Sequence, residues 1–287
     1  MNPRKRQVAI RWIVALALML MAAPAFADWA LNMTRGVTPS SQDVYDLHMR
    51  IFYICVAIGV VVFGAMFYSI VKHRKSRGAK PAKFHHSTAV ELIWTIIPLA
   101  ILISMAIPAT KVLVDMSQTG DADMTIKVTG FQWKWQYDYM DEGVQFYSTL
   151  AQDSNEARRK GSGIDPATVD NYLLDVDHPL VVPTNTKIQF LITSNDVIHS
   201  WWVPDLGWKK DAIPGYINKT WAKIEKPGVY RGQCAELCGR DHGFMPIVVV
   251  AKPPEEFQQW LAQHQSESSE TKTAAADAGD DAMIAAR

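Results

Sequence analysis

Three long apolar runs lie within the first 114 residues of this 287-residue chain, and short alternating segments occupy the rest. The run from Ile51 to Val71, "IFYICVAIGVVVFGAMFYSIV", carries no charge and is long enough to cross a bilayer as a helix. A second run, "LIWTIIPLAILISMAIPATKVLV", starts at Leu92 and contains Pro98 and Pro108, which membrane helices tolerate when neighbours satisfy the freed carbonyls. Spans are therefore expected at about 50–71 and 92–114. The first run differs: a basic start (Arg4, Lys5, Arg6), a short apolar stretch, then Ala25-Phe26-Ala27. That small-x-small ending predicts a signal peptide over 1–27, with a third span as the alternative.

From about Met116 the period changes to two. In "MTIKVTGFQWKWQYDYM" the residues Phe131, Trp133, Trp135, Tyr137 and Tyr139 alternate with Gln132, Lys134, Gln136 and Asp138, which predicts one strand with an apolar face. "HPLVVPTNTKIQFLITS", "VIHSWWVP", "INKTWAKIE", "GVYRGQCAE" and "MPIVVVAKP" predict further short strands, as in a sandwich or Greek-key barrel. "DSNEARRKGSGIDPATVDNY" interrupts them as a partly helical excursion, and "PEEFQQWLAQHQ" predicts a terminal helix. The expected organisation is a signal peptide (1–27), a helical hairpin (28–115), a β-domain (116–263) and a disordered, low-complexity tail (264–287).

Charge orients this plan. Between the two spans lie Lys72, Arg74, Lys75, Arg77, Lys80 and Lys83, with no acid before Glu91. The positive-inside rule puts this loop in the cytoplasm and the β-domain outside, in a periplasmic compartment. Glu91, at the mouth of the second span, reads either as an acid favoured by a helix N-terminus or as a proton entrance. The formal net charge is zero, which alone argues neither for nor against nucleic acid; no such partner is expected. Residues 121–196 are acid-rich, which suits either a solvated surface or the steering of a basic partner.

The candidate chemistry sits in "GQCAELCGRDHGFMP", which supplies Cys234, Cys238, His242 and Met245, with His199 upstream in "SNDVIHSWW". A disulfide suits an oxidising compartment but leaves both histidines and the methionine without a role. Zinc accepts two Cys and two His but has no need of a thioether. Soft sulfur with imidazole on a β-domain favours copper. A one-copper site uses a single thiolate, so the second cysteine is best explained if two coppers share both sulfurs. Each then takes one histidine, with Met245 and a backbone carbonyl in the weak positions.

With "ELIWTIIP", "GFQWKWQYDY", "SNDVIHSWWVPDLG", "KKDAIPGY" and the cysteine loop, the chain resembles subunit II of the haem-copper oxidases, specifically of cytochrome c oxidase. The resemblance implies an α+β membrane protein: a two-helix transmembrane hairpin followed by a cupredoxin-like Greek-key β-barrel domain. It implies a binuclear copper A centre on His199, Cys234, Cys238, His242 and Met245, with Glu236 adding its backbone carbonyl. The Glu236 side chain is then expected on a magnesium ion shared with subunit I. Trp133 corresponds to the electron-accepting tryptophan, with core packing as its competing role, and Glu91 to a proton-uptake entrance. Expected partners are cytochrome c as donor, subunit I with its haem and second copper, subunit III, and membrane lipid, all at a cell inner membrane with a periplasmic C-terminal domain. The implied activity is transfer of electrons from cytochrome c to haem in subunit I, for reduction of oxygen to water coupled to proton pumping. Phe131 departs from the histidine common at that position.

No C-x-x-C-H occurs, so no haem is expected on this chain. Two other functions compete. A nitrous-oxide-reductase-like enzyme requires a large further domain and no hairpin. A membrane-tethered copper carrier requires an exposed, exchangeable site and neither Trp133 nor Glu91.

Overall fold

The computed structural model describes residues 32–80 and 85–265. The expected signal peptide and the tail beyond 265 lie outside the described residues. Two long helices come first, α1 (Pro39–Lys72) and α2 (Thr88–Ser117), and both are apolar enough to cross a membrane. Their side chains point outward: Phe63, Phe67, Ile97 and Leu102 are exposed, as lipid-facing residues should be. Helix α2 runs through Pro98 and Pro108 without a break.

Helix α1 starts at Pro39, well before its apolar run, because its first turn is capped and docked. Thr38 accepts a hydrogen bond from the Ser41 amide at 3.0 Å and donates to the Leu206 carbonyl at 2.9 Å. The Val37 amide bonds the Asp205 carbonyl, and the Glu225 amide bonds the Val37 carbonyl. Gly207 makes this approach possible. Its φ is +83°, and a Cβ there would lie 2.5 Å from the Ser41 Cα. Thr38 and Ser41 are consequently buried although polar.

Two five-stranded sheets follow. One has β1 (Met124–Phe131), β2 (Lys134–Tyr139), β3 (Val144–Ser148), β5 (Ile188–Ser194) and β8 (Asn218–Ala222), in the order β3-β2-β1-β5-β8. The other has β4 (Leu180–Pro183), β6 (His199–Val203), β7 (Trp208–Ala212), β9 (Gly228–Cys234) and β10 (Pro246–Lys252), in the order β4-β10-β9-β6-β7. This is the expected cupredoxin-like domain, a sandwich of two mixed sheets in which β1 pairs parallel with β5 and β4 with β10. Alternate residues of the facing strands meet between the sheets: Ile126, Val128, Phe190 and Ile192 from one, Trp201, Val203, Ile247 and Val249 from the other, all fully buried. Phe190 packs on Trp201 with ring centroids 5.6 Å apart; burial of such a side chain contributes about 1.5–3 kcal/mol. A helix over 254–265, α4, closes one end by laying Trp260 on Tyr139.

The aromatic stripe is two strands rather than one. The chain reverses at Gln132 and Trp133, and Phe131 pairs with Lys134. Trp135, Tyr137 and Tyr139 are core residues of β2, whereas Trp133 sits in the turn and is only partly buried. The alternation crosses the turn unbroken although Phe131 lies on the outer face against Tyr147 while Trp135, Tyr137 and Tyr139 enter the core, so periodicity alone did not mark the reversal. The excursion holds α3 (Gln152–Ala157) and a 3-10 turn (Pro166–Thr168).

Candidate metal centre

Strand pairing assembles the cysteine loop. β6 and β9 are antiparallel neighbours with Trp201 opposite Cys234, and the Ala235 amide extends the ladder to the Ser200 carbonyl. This sets His199, at the start of β6, beside Cys234, at the end of β9. β10 returns along β9 with Pro246 opposite Gln233. The loop 235–245 must therefore close on itself within one strand width, which folds Cys238, His242 and Met245 back over Cys234.

The two thiols are 3.9 Å apart and unbonded. A disulfide needs about 2.05 Å. One metal ion bonded to both sulfurs at about 2.3 Å spans 3.9 Å comfortably. His199 Nδ1 lies 4.0 Å from the Cys234 sulfur, and the Glu236 carbonyl oxygen 3.3 Å from it. His242 Nδ1 lies 3.5 Å from the Cys238 sulfur, and the Met245 sulfur 3.6 Å from it. Two thiols, two imidazoles, a thioether and a carbonyl thus converge. Six donors exceed a tetrahedral set for one ion; shared sulfurs let them make two four-donor sets. The residues fit a two-copper group, and the thioether and two thiols give it a soft character. His199, Cys234, Cys238 and Met245 are buried, while His242 is only partly so.

Several supporting residues were not singled out from sequence. Asp196 accepts a hydrogen bond from His199 Nε2 at 2.9 Å. A carboxylate accepts but does not donate, so the ring proton resides on Nε2 and the Nδ1 lone pair faces the sulfurs. Burial raises the Asp196 carboxyl, but hydrogen bonds from His199, Val197 and the Gln132 amide outweigh it and hold the group below its ordinary range. Gly130 leaves room for the ring: a Cβ there would meet His199 Cδ2 at 2.8 Å. Trp135 contacts the same ring edge-on. An acid three residues before a candidate histidine was the available signal for Asp196; Gly130 and Gln132 carry no comparable local mark.

The cysteines differ. Burial raises both thiols, but the contact with His199 helps to hold Cys234 below the ordinary value, while Cys238 is pushed up to about 12 by burial and the adjacent Cys234 charge. Without metal Cys238 therefore holds its proton, and metal binding must release it.

The Trp133 indole donates to the Cys238 carbonyl at 3.3 Å, and Gln132 Nε2 to the same oxygen at 2.9 Å. The Glu236 side chain points outward and is exposed. Glu91 lies in the first turn of α2, apart from this cluster in sequence and element, with His86 Nδ1 2.8 Å from its carboxylate.

Residues 124–252 match the family "Cytochrome C oxidase subunit II, periplasmic domain", and residues 26–112 match "Cytochrome C oxidase subunit II, transmembrane domain". A "Probable cytochrome c oxidase subunit 2" from Rickettsia bellii (strain RML369-C) is 39% identical over 255 residues, spanning 87% of this chain and 91% of that one. "Cytochrome c oxidase subunit 2, mitochondrial" from Glycine max is 37% identical over 253 residues, spanning 88% of this chain and 63% of that one. Among solved structures, the periplasmic domain of subunit II of cytochrome oxidase from Bradyrhizobium japonicum is 41% identical, covering 52% of this chain and 99% of that chain with a TM-score of 0.46. Both parts of the family occur here in order, and the Rickettsia protein is matched over nearly its whole length: the chain belongs to the cytochrome c oxidase subunit II family, as a membrane-anchored subunit of a terminal oxidase.

Proposed function

We propose that this chain is the electron-accepting subunit of its oxidase, and that His199, Cys234, Cys238, His242, Met245 and the Glu236 carbonyl hold a binuclear copper A centre. The observation that carries this reading is the six-donor cluster around two unbonded sulfurs 3.9 Å apart. When bound, the copper pair supplies a one-electron carrier. The protein's own contribution is rigidity and exclusion of water. Asp196 and Gly130 fix the His199 ring, the two sheets bury both sulfurs, and the carbonyl and thioether complete a site that changes little on reduction.

Cytochrome c is the donor and haem in subunit I the acceptor, feeding oxygen reduction coupled to proton pumping. The acid-rich stretch 121–196 suits attraction of a basic donor. Trp133 is the electron-accepting side chain, supported by its hydrogen bond to the Cys238 carbonyl, a short covalent route from the sulfur. The basic loop between α1 and α2 favours a cytoplasmic hairpin turn and a periplasmic C-terminal domain at a cell inner membrane, among lipid and beside subunits I and III. The test is the assembled wild-type oxidase: copper analysis and the hyperfine pattern of the oxidised centre. Splitting from two equivalent copper nuclei is expected. Splitting from one nucleus sinks the reading and revives the single-copper alternative.

Glu236 and Glu91 extend the proposal. The Glu236 carbonyl faces the copper cradle while its side chain is exposed, and a hard oxygen suits magnesium shared with subunit I. Glu236→Gln keeps the carbonyl, so it is expected to retain two coppers and lose manganese or magnesium from the hard site. Full occupancy of that site in the variant overturns the assignment. Glu91 is a proton-uptake entrance, supported by its place at the cytoplasmic mouth of α2. Glu91→Gln is expected to slow oxygen consumption while leaving copper reduction by the donor unchanged; unaltered turnover returns the residue to a helix-terminal role.

A further inference from the structure

The excursion before β4 is more than an insertion on the surface. It is anchored at its exit, where Arg231 of β9 donates to the Leu174 carbonyl at 2.7 Å and reaches Asp175 at 2.9 Å. The Ala151 amide donates to the Asp175 carbonyl, and the Leu173 amide to Ser154 Oγ. So held, the excursion presents Arg158, at the end of α3, to the cysteine loop. Arg158 Nε donates to Asn155 Oδ1 at 2.8 Å, which aims the guanidinium. One terminal nitrogen stands 3.7 Å from Asp241, and the plane covers the Phe244 ring at 4.2 Å. These groups line a cleft of about 150 Å3 with Trp133, Thr149 and Leu150.

The contacts bracket the ligands. Asp241 immediately precedes His242, and Phe244 immediately precedes Met245. Asp241 also starts the 3-10 turn His242–Phe244, its carbonyl accepting from the Phe244 amide at 2.9 Å. His199 has Asp196, Gly130 and Trp135 to fix it. His242 and Met245 come from a loop whose Cys238 carbonyl is held by Gln132 and Trp133 and whose Met245 carbonyl accepts from the Trp135 indole at 3.3 Å; between those points, at Asp241 and Phe244, Arg158 holds it from outside.

We propose that Arg158 is a positioning residue for the metal loop, a clamp through Asp241 and Phe244 that keeps His242 and Met245 in ligating geometry. The proposal rests on the copper reading above. A guanidinium is suited to the task because it pairs with a carboxylate, stacks on an aromatic face and is aimed by a third group at once; an ammonium does only the first well. Loosening the clamp leaves the donor set complete but less preorganised. Copper should then be lost faster, and the hyperfine pattern should broaden as the two ligands sample more than one geometry.

The experiment uses the assembled oxidase with Arg158→Gln, Arg158→Lys, Asp241→Asn and the Arg158→Gln/Asp241→Asn pair. Copper loss to a chelator and the hyperfine pattern are followed, with a thermal melt as a control for folding. Arg158→Gln is expected to load two coppers and lose them about tenfold faster, the order of effect of removing a group that orients metal ligands. Arg158→Lys should fall between it and the wild type. The double variant should be no worse than the poorer single one, since both remove the same contact. A copper-loss rate within twofold of wild type with an unchanged hyperfine pattern overturns the clamp, as do additive effects of the two substitutions. A wild-type complex without a two-copper pattern fails at the earlier step and overturns the copper reading itself.

Discussion

Cys234→Ser is expected to abolish the two-copper signal and electron uptake from the donor while the β-domain stays folded. A serine oxygen is a hard donor that remains protonated near neutrality, so it does not replace a bridging thiolate between soft ions. Only one shared sulfur is left, and two four-donor sets cannot be made from what remains. The fold tolerates the change because Cys234 lies at the last position of β9, beyond most of its ladder with β10. The serine hydroxyl can use the Glu236 carbonyl, which lies 3.3 Å from the native sulfur. The expected stability change is thus about 1 kcal/mol, the scale of one hydrogen bond made or lost. Copper analysis, the hyperfine pattern and a thermal melt on one preparation separate the two effects. Two coppers per chain with normal reduction by the donor would show that the sulfurs do not bridge.

Trp133→Ala is expected to slow electron uptake by roughly tenfold or more, at least ~1.4 kcal/mol in activation terms. Donor affinity should change far less. The indole adds no charge to the docking face, but it joins that face to the Cys238 carbonyl. Loss of packing is the competing explanation, and the turn position decides how much it matters. Trp133 is only partly buried, so the cost in stability should fall below the ~3–5 kcal/mol of a core tryptophan. Trp133→Phe is the useful companion, since it keeps most of the packing and removes the indole donor. Rapid mixing at several donor concentrations distinguishes a slower transfer step from weaker association. A pure association defect, or phenylalanine behaving as wild type, would remove the indole from the route.

The hairpin, the β-domain and the clustering of the candidate donors were legible in the sequence for a common reason: each is written locally. Bilayer spans are continuous apolar runs, core strands alternate, and four of the candidate side-chain donors fall within the twelve residues from Cys234 to Met245. What lay beyond the sequence depends on long-range pairing. The parallel match of β1 with β5 brings Gly130 and the Asn195 amide together, and with them Gly130 against the His199 ring, yet no single segment encodes that register. The reversal at Gln132 and Trp133 was hidden by an alternation that continues through it. Arg158 was hidden by its setting, a polar excursion whose pattern gives no sign of the loop it meets.

The docking of Thr38 against Leu206 and Gly207 bears on how the soluble part should be cut free. A fragment beginning at the strands would leave the Asp205 and Leu206 carbonyls and the Glu225 amide without the partners that residues 37 and 38 supply. It would also uncover the hollow that Gly207 keeps open for Ser41. Such a truncation carries a new wet seam on the side where α1 joins the domain. Adding back a peptide of residues 34–42 in trans should bind that seam and raise the melting temperature of the fragment.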